Sequence, residues 1–434
     1  MSAPAIGAVG VLALFALMLL RVPVWAALTL VGFGGSIAVA GFQSAISVAG
    51  TAPFDTASAY TLSVIPLFVL MGEVASSTRL SADLFTAARV LLSGVRGGLS
   101  IASILASACF GAVCGSSVAT AATISRIALP EMRRAGYDDG LSTGSLAAGG
   151  SLGILIPPSI ILVIYAAIAE QSVPKLFAAA LIPGLILTAL YICVAMAVVR
   201  LRPDYAPEPH VVPWRDKLVA LAGPWQFLAL FIGTIGGIYA GIFSPTEAAA
   251  IGAFGAILLG VLGRRVSFPQ LRASFEVTVR TSALLFLIII GANLFSFFVV
   301  QTQLPGTMIS LVEAYNLPPS AVMALIIFAY VLMGCFLEGI GMVLITVPVF
   351  LPLIVKFGYD PVWFSIIVVI VVELGLIHPP VGMNLFVIQA QAPDIKVTSI
   401  YRGILPFLLA PFGLILLLFA FPELALWLPR QLYR

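Results

Sequence analysis

Charge is what this sequence has least of: 18 Asp and Glu and 21 Lys and Arg make up 9% of 434 residues. A soluble domain carries roughly a quarter of its residues as charges, so a water-soluble globular protein is excluded. Histidine is nearly absent, with only His210 and His378, and Glu73, Glu247, Glu276 and Glu373 are scattered. No nucleophile with a base and no metal cluster can be assembled from them in the apolar segments, which argues against an intramembrane enzyme and against a proton relay. Cys109, Cys114, Cys193 and Cys335 lie in apolar stretches without metal-ligand spacing and read as small packing residues, not as disulfides. A nucleotide-binding loop is missing too, which removes ATP-driven pumping. The net charge of +3 is spread over short loops and makes no nucleic-acid footprint. The first apolar stretch lacks a basic leader and a cleavage site and reads as a span, not a removed signal.

What is present is apolar sequence, 61% of the residues with a mean hydropathy of +1.15. Apolar runs predict membrane spans near 5–20, 24–40, 62–76, 141–168, 176–199, 225–240, 248–262, 278–300, 363–389 and 404–421. Two stretches, 99–129 and 321–354, have a small-residue or glycine break at their middle, GAVCGSS from Gly111 to Ser117 in one and Gly334 to Gly341 in the other. Such a break suits a helical hairpin that dips into the membrane and returns, with protein or water covering its tip. The stretch 80–96 has one apolar face and Arg89 and Arg96 among its residues, which suits a helix on the cytoplasmic surface.

The punctuation of the chain repeats. Pro23 and Pro245, Leu129-Pro130 and Leu351-Pro352, Gly136-Tyr137-Asp138 and Gly358-Tyr359-Asp360, and Pro157-Pro158 and Pro379-Pro380 are each 222 positions apart. One constant offset across a membrane chain is the trace of an internal duplication, as found in secondary transporters. With the N-terminus outside and the hairpins not crossing, only Lys175, Lys356, Arg430 and Arg434 of the 21 Lys and Arg fall outside, and the outer loop 41–61 has none. An odd number of crossings then separates equivalent points, so the halves run in opposite senses. The expected fold is therefore an all-α polytopic membrane protein of two inverted-topology repeats, 1–199 and 218–434, each with a re-entrant hairpin and an interrupted transmembrane helix. The Pro-rich stretch 200–217 reads as the cytoplasmic linker between them.

The chemistry is expected where helices break. Pro157-Pro158 followed by Ser159, and Pro379-Pro380 followed by Gly382, free backbone carbonyls inside apolar sequence. Opposite them stand the hairpin tips, with Ser116, Ser117 and Thr120 in the first half and Gly339, Gly341 and Thr346 in the second. Neutral oxygens suit a dehydrated monovalent cation, and half-helix N-termini offer amides to a carboxylate. A pair of Pro-kinked packing helices is the plain alternative, and two at one repeat position count against it.

The stretches GAVCGSSVAT (111–120), GILIPPSIILVIYA (153–166), LFAAALIPG (176–184), GIFSPTEAAAIGAFGAI (241–257) and HPPVGMNLFVIQA (378–390) resemble the large membrane subunit of tripartite ATP-independent periplasmic (TRAP) transporters, over nearly the whole chain. The resemblance implies sodium-coupled uptake of an organic acid, such as a C4-dicarboxylate or sialic acid, by an elevator movement. It also implies two separate partners, a small membrane subunit and a periplasmic substrate-binding protein, and no cofactor besides the coupling ions. Carried over by position, one sodium site falls on Gly115, Ser116, Ser117, Pro157 and Pro158, and a second on Gly339, Gly341, Pro379, Pro380 and Gly382.

Other residues have two readings each. Asn384 either hydrogen-bonds substrate or satisfies a freed carbonyl; Glu338 attracts sodium, or locks the second hairpin closed, or is only a cap at a watery mouth. Arg126 either holds a substrate carboxylate or reaches the cytoplasmic edge. Thr120, Ser159 and Thr346 are further substrate or gating candidates. His378 departs from the family pattern, which has a small hydroxyl residue before that proline pair, and a neutral packed histidine is its plain reading. A stand-alone inverted-repeat carboxylate symporter that needs no binding protein is the competing function.

Overall fold

The structure is a computed structural model that describes residues 2–209, 211–334 and 337–433, and every regular element among them is helical. His210, Cys335 and Arg434, all used in the sequence reading, lie outside the described residues. All-helical structure is what the composition demands, because a backbone surrounded by apolar material must satisfy its N–H and C=O groups within its own segment.

Helices α1 (Ala3–Leu19) and α2 (Val24–Ala40) meet at a corner in which Arg21 has a φ of 64° and Pro23 precedes the second helix. The stretch expected to be an outer loop is instead mostly α3 (Phe42–Ser58). Its buried residues Ala45, Ala52 and Thr56 recur at helical spacing, a stripe too thin to stand out among the polar residues around it. After a 3₁₀ turn come α4 (Val64–Ser77) and α5 (Leu80–Leu91), which buries Leu80, Leu84, Phe85 and Ala88 along one face as expected of a surface helix. Helices α6 (Gly98–Cys114) and α7 (Ser117–Arg134) form the first hairpin. The first interrupted stretch consists of α8 (Asp139–Ser151), a break over 152–159, and α9 (Ile160–Ile168).

The long α10 (Val173–Leu201) leads to the linker, whose end is already helical in α11 (Trp214–Ala222). Then follow α12 (Trp225–Phe231), a π turn, α13 (Gly237–Tyr239), α14 (Pro245–Leu262), α15 (Phe268–Gln301) and α16 (Leu304–Ala314). The second hairpin is built from α17 (Pro319–Gly334) and α18 (Gly339–Lys356), and the second interrupted stretch from α19 (Pro361–Ile377) and α20 (Met383–Gln391). The chain closes with α21 (Val397–Ile404), α22 (Leu409–Ala420) and α23 (Glu423–Leu432).

Six described helical stretches are long and apolar enough to cross a membrane, or seven if Trp214–Ala222 and Trp225–Tyr239, bent by 45°, form one span. Of the ten expected spans five are among the six, and 225–240 is the bent pair. The other four fall short because α1 and α2 have only 17 residues each and the stretches 141–168 and 363–389 are cut by their breaks, while the sixth long stretch is α18, read from the sequence as a hairpin limb.

Element boundaries keep the spacing read from the sequence. Helices α7 and α18 both have 18 residues and begin 222 positions apart, at Ser117 and Gly339. Asp138 and Asp360 each cap the following helix by accepting backbone N–H groups, and Gly136 and Gly358 precede them with φ of 82° and 80°. Glycine is required there because a Cβ crowds the backbone at positive φ. Both proline pairs have a cis bond between the two prolines.

Candidate functional site

The first hairpin turns on Gly115, whose φ of 66° ends α6, and on Ser116, whose Oγ accepts from the Ala119 amide at 3.4 Å and so caps α7. The tip lies directly on the break in the first interrupted stretch. A Cβ on Gly115 would come within 2.8 Å of the Pro158 carbonyl oxygen, and one on Gly153 within 2.9 Å of the Ser116 carbonyl oxygen and 2.7 Å of Thr120 Oγ1. Gly111 packs in the same way, since a Cβ there would be 2.6 Å from Gly153 Cα. Backbone-to-backbone packing of this kind needs residues without side chains. Ser159 completes the break: its Oγ donates to the Ile154 carbonyl at 2.5 Å and accepts from the Leu162 amide at 3.4 Å. Thr120 Oγ1 is buried beside the Cys114 thiol without a hydrogen-bond partner among nitrogen or oxygen atoms.

The second tip repeats the geometry with other chemistry. Glu338 caps α18, its Oε2 accepting from the Gly341 amide at 3.2 Å. A Cβ on Gly334 would lie 2.9 Å from Gly375 Cα, the counterpart of the Gly111–Gly153 contact. A Cβ on Gly339 would meet Val372 Cγ1 at 2.6 Å and one on Gly341 would meet Val24 Cγ1 at 3.0 Å. The second break runs from His378, extended at ψ 127°, through the proline pair to Gly382, with φ 48°, which opens α20. The Pro380 carbonyl is already engaged, accepting from the Tyr401 hydroxyl at 2.5 Å.

Both tips line one cavity of about 130 Å³, with Gly115, Ser116 and Ser117 on one side, Glu338 and Gly339 on the other, and Met383 between. A larger neighbouring cavity of about 540 Å³ shares Glu338 and Met383 and reaches Arg21 and Pro23 at the corner between α1 and α2. Asn384 ties the second break to the first tip. It is wholly buried, and its Nδ2 donates to Ser117 Oγ at 2.7 Å and to the Ala147 carbonyl at 3.4 Å, while its Oδ1 has no partner. The site offers hydroxyl and carbonyl oxygens, helix amides and one carboxylate in apolar walls. Among the described residues no group of three His, Cys, Asp or Glu is placed to hold a metal ion. Such a set suits a weakly held monovalent cation and a carboxylate better than a transition metal.

The family profile of the tripartite ATP-independent periplasmic transporter, DctM component, matches residues 11–424. The chain belongs to this family. It is therefore a multi-pass membrane protein of the TRAP transporter large-permease type. It is 35% identical over 380 residues to the C4-dicarboxylate TRAP transporter large permease protein of Pseudomonas aeruginosa, covering 87% of this chain and 88% of that one. It is 31% identical over 376 residues to the sialic acid TRAP transporter large permease protein of Vibrio cholerae, covering 86% of each. Among solved structures its fold is similar to that of the YdaH transporter of Alcanivorax borkumensis, with a TM-score of 0.63 at 15% identity, over 89% of this chain and 88% of that one.

Within this TRAP permease the structure gathers most of the residues singled out in the sequence and disperses a few. Gly115, Ser116, Ser117, Thr120, Pro157, Pro158 and Ser159 cluster at the first tip and break; Glu338, Gly339, Gly341, Pro379, Pro380, Gly382 and Asn384 lie at or beside the second. Thr346 is two turns into α18, where its Oγ1 donates to the Met342 carbonyl at 2.7 Å and lies 2.5 Å from the Tyr330 hydroxyl, so it packs α18 against α17. Arg126 is exposed on α7, away from the cavity between the tips. His378 is partly buried at the end of α19. Sequence reasoning named Gly111 and Gly334 only as parts of the hairpin breaks and missed their packing partners Gly153 and Gly375, although these two are 222 apart and carried the signal. It also missed Met383, which has no chemical signature of its own.

Proposed function

We propose that this chain is the substrate-moving subunit of a sodium-coupled organic-acid uptake system working by an elevator movement. The observation that carries the proposal is the convergence of the two tips on one cavity, with Asn384 bridging from the second break to Ser117. In this reading residues 1–199 and 218–434 are inverted repeats joined by the cytoplasmic linker 200–217, and the N-terminus is outside. The hairpins α6–α7 and α17–α18 dip into the membrane from opposite sides and travel with the interrupted stretches α8–α9 and α19–α20. One sodium ion sits at Gly115, Ser116, Ser117, Pro157 and Pro158, with the buried Thr120 Oγ1 nearby. The other sits at Gly339, Gly341, Pro379, Pro380 and Gly382, with Glu338 as the nearby charge. The Tyr401 bond to Pro380 leaves the remaining carbonyls and the Pro380 second lone pair for that ion.

The substrate is an organic acid, such as the C4-dicarboxylates or sialic acid named for the relatives, held between the tips and facing the amide ends of α7 and α18. A small membrane subunit enlarges the fixed part and a periplasmic binding protein delivers the substrate. Reconstituted uptake of labelled organic acids into proteoliposomes, with the small subunit and with or without the binding protein, tests this. Uptake is expected to need both an inward sodium gradient and the binding protein. Sodium-dependent uptake without the binding protein would replace this reading by the stand-alone symporter, and uptake indifferent to sodium would remove both cation sites.

A further inference from the structure

The molecule contains a buried acid that none of this uses. Glu373 lies in the second half of α19 and is wholly buried, within a run from Trp363 to Ile377 that is buried throughout. Its Oε1 is 2.7 Å from the hydroxyl of Ser151, the last residue of α8, and its Oε2 has no partner. Ser151 and Glu373 are 222 positions apart, so equivalent residues of the two halves touch each other. No ion pair among the described residues involves Glu373.

We propose that Glu373 is a proton-binding site: it holds one proton as a neutral carboxylic acid, and in that form clasps the interrupted stretches α8–α9 and α19–α20 together.

The hydrogens around Ser151 support this assignment. A serine hydroxyl has one hydrogen to donate and two lone pairs to accept with. Ser151 Oγ lies 2.8 Å from the Ala148 carbonyl, which can only accept, and 3.2 Å from the Tyr191 hydroxyl, which has a hydrogen of its own. The single Ser151 hydrogen can go to Glu373 Oε1 at 2.7 Å or to the Ala148 carbonyl at 2.8 Å, and all three contacts are hydrogen bonds at once only when Glu373 carries a proton and donates to Ser151, which then donates to Ala148 and accepts from Tyr191. The acid then leaves Oε2 as a carbonyl oxygen missing one bond, a far cheaper state than a carboxylate out of water without a cation. Tyr191 of α10 is the titratable group that reaches the cluster. Tyr165 of α9 is engaged with the Pro361 carbonyl and Tyr330 of α17 with Thr346. Ser151 immediately precedes the first break, so the clasp fixes where that break begins relative to α19. Glu373, Ser151 and Tyr191 have no water-exposed surface in this conformation.

Infrared spectroscopy of the reconstituted chain in H₂O and D₂O tests the proposal, comparing the parent with Glu373→Gln. The expected result is a protonated-carboxyl C=O band at neutral pH that shifts in D₂O and disappears in the variant. The absence of any Glu373-dependent band would overturn it. Where Glu373→Gln fails to insert, Glu373→Asp serves instead, with the band expected to move in frequency; an unchanged spectrum counts against the proposal. Sodium-dependent uptake gives the second readout. Glu373→Gln keeps an uncharged donor and should stay within about threefold of the parent, whereas Glu373→Ala should lose about tenfold or more. An inserted Glu373→Gln without uptake would show that the negative charge is needed and that the cluster holds a cation. The infrared readout does not depend on the sodium-coupled reading, so the two fail separately.

Discussion

Break 152–159 is buried along its whole length, whereas in break 378–382 only Gly382 is buried and Pro380 and Val381 are exposed. The two occupy the same place in the 222-residue pattern and differ in how they are finished. In the first, Ser159 bonds both sides of the break, and a neutral hydroxyl, Ser116, caps the facing hairpin. In the second, Val381 stands where Ser159 would be, no side chain caps α20, and a carboxylate, Glu338, caps the hairpin. The first site is thus held by its own side chains before any ligand arrives. The second leaves part of its geometry to be completed, with Tyr401 from α21 holding one carbonyl. Preorganised ligand sets lose less order on binding, so of the two proposed cation sites the first is expected to be the tighter.

The sharpest way to break this comparison is at the seam between the halves. Ser117→Leu places a bulky side chain against buried Asn384 and removes its partner. Overpacking and the lost buried bond cost about 1–3 kcal/mol each, so uptake should fall by roughly 100-fold while membrane insertion continues. Normal uptake by an inserted variant would take the first tip out of the site.

A smaller effect separates the two tips. Gly115→Ala meets the Pro158 backbone oxygen at 2.8 Å and a φ of 66°, whereas Gly341→Ala meets only a valine side chain at 3.0 Å at ordinary helical φ. Strain of about 1–3 kcal/mol should weaken the sodium dependence of the first variant about tenfold or more. The second should change less than threefold, because alanine is favoured over glycine in a helix by about 1 kcal/mol. Equal effects in sodium titrations of uptake would mean that the two tips are equally constrained.

The smallest effect lies at the exposed ends of the same elements. Arg133, near the end of α7, bonds Asp394, which follows α20, at 2.5 Å and Asp139 at 3.2 Å. The hydrogen bond from Arg133 holds the Asp394 carboxyl below the ordinary aspartate range. Its stabilising contribution is therefore complete above the ordinary aspartate pKa and is lost as pH falls through the lowered value. Being exposed, the pair contributes little. Asp394→Asn should lower the melting temperature slightly at pH 7, and the difference should vanish in acid. Identical melting curves at every pH would show that Arg133 does not join the first hairpin to the second interrupted stretch.

Much of the site was legible because glycine and proline act locally. Pro157-Pro158 and Pro379-Pro380 end helices wherever they stand, and Gly136 and Gly358 sit at turns only glycine enters without strain. The helical stretch α3 was not legible, since its inward stripe of Ala45, Ala52 and Thr56 is small and weakly apolar. Thr346 was read as a site residue because it lies near a tip in sequence, but helical rise carries it away from the tip toward Tyr330.

The sequence by itself determined that this is an apolar, all-helical membrane protein whose helix breaks recur at one constant offset, because hydropathy, helix breaks and spacing are properties of local sequence. Only the tertiary structure decided which breaks face which tips, that Asn384 reaches Ser117 across 267 positions, and that Ser151 meets Glu373. Those contacts depend on how helices pack, and close packing is settled by the shapes of distant residues together.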